Sequence, residues 1–137
     1  MAPDPRRRWG QRPARFAGER GSAVADFVMV GGLLTALTLA IVQLTLVLHV
    51  RNVLVDAAAS GARYGTLADR TPEDARQRAA ELITGSVGAR YAADIRVGHA
   101  DIAGFRTLEV RVVAPIPVVG LLGPAGMMEA AGHAPLQ

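Results

Sequence analysis

The residues best placed to take part in chemistry lie at one junction, Glu19–Phe27 (ERGSAVADF), where a basic stretch meets an apolar one. Asp26 stands five residues after Gly21, at the edge of the apolar phase. A carboxylate there costs several kcal/mol unless it is neutralised or partnered. Cutting the chain after Gly21 creates an amine on Ser22, one helical turn from Asp26, and the same carboxylate can reach the amine of a neighbouring chain. The chemistry this spacing suits, if the chain is cut there, is an ion pair between that amine and the carboxylate. Other reactive groups are scattered. His49, His99 and His133 have no metal-ligand spacing, and the absence of cysteine excludes disulfides, thiolate metal sites and cysteine nucleophiles. The glycines at 31–32 and 120–126 lack the lysine of a phosphate loop. The sequence therefore predicts no catalytic residue, no metal and no cofactor.

The element that must position the junction is the run from Phe27 to Val50, 24 residues without a formal charge. As a helix it measures about 36 Å at 1.5 Å per residue, enough to cross a hydrocarbon core of about 30 Å with some tilt. A cleavable secretory signal has an apolar segment of only about 7–15 residues, so a signal anchor is preferred. Six arginines precede the run within residues 1–21, against Arg51 and Arg63 shortly after it. This asymmetry predicts a cytoplasmic N-terminus and an exported C-terminus. The basic excess is a short leader before an apolar helix, so nucleic acid is not an expected partner. On a helical wheel Thr35, Thr38, Thr45, His49, Asn52 and Asp56 share one sector, and Gly32, Ala36 and Ala40 form a small-residue stripe roughly opposite. Both stripes suit packing against other membrane helices.

Gly21, four residues, Asp26, Phe27 and a long apolar helix resemble the processing site of type IV prepilins, which a membrane aspartic peptidase cuts after the glycine. The sequence that follows, RNVLVDAAASGARYG from Arg51 to Gly65, is similar to TadE-like pseudopilins of tight-adherence (Flp-type) pilus systems. The matching residues are Arg51, Asn52, Asp56 and the tetrad Gly61, Ala62, Arg63 and Tyr64. The resemblance implies that Gly21 and Ser22 flank the cleaved bond and that Asp26 and Phe27 serve assembly. It also implies three groups of partners: a prepilin peptidase, other pilins or pseudopilins with inner-membrane assembly proteins, and membrane lipid. The family usually carries Glu where this chain has Asp26. The shorter side chain keeps the charge and loses reach.

Beyond Arg51 the helical pattern continues through Val53, Leu54, Ala57, Ala58, Ala62 and Leu67, with Gly61 and Gly65 weakening it. Thr71-Pro72-Glu73-Asp74 predicts a capped helix start, and the helix should run to about Ile83 and stop near Gly85. Asp94–Val97 and Leu108–Val113 alternate with period two, which predicts a hairpin whose loop spans residues 98–106. Pro115 and Pro117 should end the second strand, and Met127–Ala134 gives a weaker third. A region this small cannot bury a large core alone, so it needs the preceding helix or a partner. The expected fold is α+β: a leader over 1–21, a membrane helix and its extension over 22–70, and a small extracytoplasmic domain over 71–137.

These readings converge on a single-pass, processed, TadE-like minor pseudopilin with a structural role in pilus assembly and secretion, located in the cytoplasmic membrane and in an extracellular pilus if it joins the filament. The rival is an unprocessed signal-anchor protein with an extracytoplasmic binding domain. An enzyme is a distant third.

Overall fold

The computed structural model describes residues 16–118 and 126–136. Most of the basic leader therefore lies outside the described residues. Helix α1, Phe16–Gly65, is continuous over 50 residues. No proline interrupts it, and Thr35, Thr38 and Thr45 turn their hydroxyls back to the carbonyls of Gly31, Leu34 and Ile41, each at 2.8 Å. Hydroxyls bonded this way add little polarity to an apolar helix. The apolar stretch is exposed, with none of its most hydropathic window buried.

Residues 1–38 and 39–137 form two compact units, and the second contains all of the sheet. Helix α2, Pro72–Ser86, starts at a capping box in which the Thr71 hydroxyl accepts from the Asp74 amide at 3.2 Å and Asp74 accepts from the Thr71 amide at 2.7 Å. Pro72 at the first helical position supplies a preset φ where no amide donor is needed. Removing the Thr71 hydroxyl in Thr71→Ala should cost about 1 kcal/mol, read as a lower thermal midpoint of the detergent-solubilised chain. A short 3-10 helix, Ala89–Ala92, which the sequence did not signal, carries Tyr91 into the core.

Three antiparallel strands follow in simple meander order: β1, Asp94–Ile102; β2, Phe105–Pro115; β3, Met127–Pro135. The alternation read from sequence is realised, since Leu108, Val110 and Val112 are buried while Glu109 and Arg111 sit on the other face. The hairpin loop is shorter than expected. Strand pairing continues to Ile102 and Phe105, leaving only Ala103 and Gly104 in the turn. Residues 98–106 lie mostly exposed on both faces, so no burial imposes the alternation by which a strand is recognised.

Both turn residues have positive φ, 52° at Ala103 and 81° at Gly104. This is the pattern of a type I′ turn, which matches the twist of its strands. Alanine is strained there, so Ala103→Asn should stabilise the hairpin by about 0.5–1 kcal/mol, measurable as a raised thermal midpoint.

The core joins all of these elements. Val50, Leu54, Ala57, Ala58 and Ala62 of α1 pack with Ala75, Ala79 and Ile83 of α2, Tyr91, and the inner faces of the strands. The small region after residue 70 thus obtains its core from the preceding helix, as its size requires.

Candidate functional site

Gly21 and Ser22 lie in the second turn of α1, with open space around the Gly21 backbone. Peptide-bond cleavage needs an extended segment, and a helical glycine, about 1 kcal/mol less favourable than alanine, lowers the cost of unwinding it. Asp26 is exposed one turn beyond Ser22, and Phe27 beside it is 79% exposed. Among the described residues nothing covers this apolar ring. Gly32, Ala36 and Ala40 are exposed too, so close approach of another helix is open along their stripe.

The motif residues of the lower helix divide into two groups. Thr45, His49, Asn52 and Asp56 are exposed on the side of α1 opposite Val50, Leu54, Ala57 and Ala58, which face the core. Arg51 and Arg63 are exposed as well. Gly61 and Ala62 instead belong to the seam with α2. A Cβ on Gly61 would lie 2.7 Å from the Ala75 carbonyl oxygen, and one on Gly65 would lie 2.6 Å from the side chains of Ala75 and Leu108. The two glycines that weaken the helical signal are thus what allow the helices to touch. Tyr64 is half-buried, and the Arg70 guanidinium stacks 4.6 Å from its ring centre. These residues do not converge on one reactive centre. A hollow of about 250 Å³ beside Tyr64 is lined by Arg70, Asp74, Gln77, Arg78 and Glu81, which pair locally, as in Gln77 donating to Glu81 at 3.3 Å.

Sequence reasoning missed Gln43. Its side-chain amide donates to the backbone carbonyl of Pro117 at 2.5 Å, across 74 residues of chain. The available signal was an amide seven residues inside an uncharged run, since such a group needs a partner.

On the outer face of the sheet Arg111 bridges Glu109 and Glu129, at 2.7 and 2.5 Å, and the His133 Nε2 lies 2.8 Å from the Glu109 carboxylate. Hydrogen bonds from Arg111, then His133, hold the Glu109 carboxyl below its ordinary value of 4.5. The native state thus binds this proton less tightly than the unfolded chain. The contribution is complete above the ordinary carboxylate range and disappears as pH falls through the lowered native value. Glu109→Gln should therefore flatten the acid limb of a plot of thermal midpoint against pH.

No curated protein and no solved structure matches the chain. The model of the TadE-like protein family matches residues 21–63. That stretch begins at the glycine of the junction, covers Asp26, Phe27, the apolar helix and the Arg51-Asn52 pair, and closes inside the Gly-Ala-Arg-Tyr tetrad. From the junction glycine to Arg63 the chain is thus similar to the TadE-like family, and the α+β domain that follows packs on the same helix.

Proposed function

We propose that this protein is a minor pseudopilin of a tight-adherence, Flp-type pilus machine, cut after Gly21 by a prepilin peptidase and assembled through its apolar helix. The observation that carries the reading is the family match over residues 21–63, which starts at the junction glycine and runs the length of the exposed helix. The N-terminus is cytoplasmic and residues 51–137 are exported. Asp26 pairs with the Ser22 amine of its own or a neighbouring subunit, and Phe27, Gly32, Ala36, Ala40, Thr38, Thr45 and His49 meet the helices of other pilins and inner-membrane assembly proteins. The protein works by assembling and has no catalytic turnover, cofactor or metal.

The deciding experiment is the mass and N-terminal sequence of the protein extracted from membranes after co-expression with its own prepilin peptidase. Loss of residues 1–21 with a new N-terminus at Ser22 supports the proposal. Retention of the leader makes the unprocessed anchor with a binding domain the better reading.

A further inference from the structure

We infer that the end of the sheet formed by the β2 terminus and the β3 start is a second membrane contact, seated in the lipid interface beside α1. The inference rests on the reading of α1 as a membrane helix. It starts from the direction of β2. Pro117 is bonded to Gln43 near one end of the α1 contact, and Leu108 meets Gly65 at the other. From Gln43 to Gly65 the helix rises about 33 Å, and from Pro117 to Leu108 the strand covers about 30 Å. The two lengths agree, so β2 runs antiparallel beside the helix and its residues can be levelled against it.

A hydrocarbon core of about 30 Å takes roughly 20 helical residues. Counted from Phe27, it ends near Leu46. Gln43 lies short of that limit, and Pro117 is held level with it. Val118 follows Pro117, Met127 pairs with Pro115 across the β2/β3 ladder, and Gly126 accepts from the Ile116 amide at 3.0 Å. Val118 and Met127 are 42% and 63% exposed, and Leu44 and Leu48, which follow Gln43 on the helix, are exposed too.

Composition separates this end of the sheet from the other. Among the described residues between Arg111 and Glu129 no side chain is polar, whereas at the β1/β2 turn exposed Ile102 and Phe105 are backed at once by the charged pair Asp101 and Arg106. Exposed aliphatic side chains at the level of a membrane helix's outer end are favourable in lipid and costly in water. The occupant is therefore the bilayer interface. A sheet edge held there fixes the height of the domain above the membrane.

The chain contains no cysteine, so single cysteines can be introduced into the full-length protein and labelled with an environment-sensitive fluorophore. Val118→Cys and Met127→Cys report on the proposed contact, Asp101→Cys on the opposite end of the sheet, and Leu39→Cys on the membrane helix itself. The protein is placed in phosphatidylcholine–phosphatidylglycerol vesicles carrying a nitroxide on the upper acyl chain. Labels at 118 and 127 should be quenched several-fold more strongly than the label at 101, and shielded from aqueous iodide. Quenching at 118 and 127 like that at 101 overturns the proposal. So does shielding from both quenchers, which signals cover by protein such as a second copy. Quenching at Leu39 without quenching at 118 and 127 sinks this inference alone, and absence of quenching at Leu39 removes the membrane reading with it.

Discussion

Gly132→Val is expected to unfold the domain or leave it molten, a loss of about 3 kcal/mol or more. Gly132 sits on the inner face of β3, opposite Val110, where the strand crosses α1. A Cβ built there overlaps the backbone of Ala58 and Ala59. Those atoms belong to the body of a 50-residue helix, so no side-chain rotation relieves the clash. Either β3 leaves the sheet or the sheet leaves the helix, and both routes expose Leu54 and Val110, which are fully buried. Gly98→Val is the control, because a Cβ at Gly98 meets nothing within 4 Å. It should leave stability almost unchanged. Thermal unfolding of the two variants in detergent, followed by circular dichroism, should separate them widely, and equal midpoints would show that α1 and β3 do not touch.

The second large effect is on the proposed processing. Gly21→Leu should abolish leader removal, through two causes that act together. The side chain blocks close approach of the backbone to a peptidase, and leucine favours the helix by close to 1 kcal/mol over glycine, resisting the unwinding that cleavage needs. Asp26→Ala should behave differently. Loss of the carboxylate removes a desolvation cost and also the partner of the Ser22 amine, so the variant should be cut and inserted yet fail to enter the pilus machinery. Immunoblot mobility reports the cut, and co-purification with the assembly proteins reports incorporation. An Asp26→Ala protein that assembles normally would refute the role given to that carboxylate.

Much of this architecture was legible in the residues. The Thr71–Asp74 cap, the start and end of α2, and the inward set Leu108, Val110 and Val112 follow from local chemistry and are observed. Two things were hidden, for the same reason. Gly61 and Gly65 read as helix weakeners because the partner that justifies them, Ala75, lies across a loop. Gln43 went unmarked because its acceptor, the Pro117 carbonyl, is 74 positions away. Local patterns report periodicity and caps; they do not report which distant backbone comes close. At the junction the two sources change places. Gly21, Ser22 and Asp26 are recognised by spacing and by family likeness, and the fold adds only that their backbone is helical and uncovered.

The long separation between Gln43 and Pro117 also sets an order of events during synthesis. The core face of α1, with Val50, Leu54, Ala57 and Ala58, leaves the ribosome first, whereas Leu108, Val110, Ala130 and Ala134, which cover it, follow about 50–80 residues later. At 5–20 residues per second the delay is several seconds, far longer than the microseconds in which α2 and the β1/β2 hairpin can form by themselves. Throughout that interval only α2, through Ala75, Ala79 and Ile83, can cover part of that flank, and the rest stays open to lipid, to a chaperone or to another nascent chain. Docking of β2 and β3 closes it, so the core is completed only after β3 has been made.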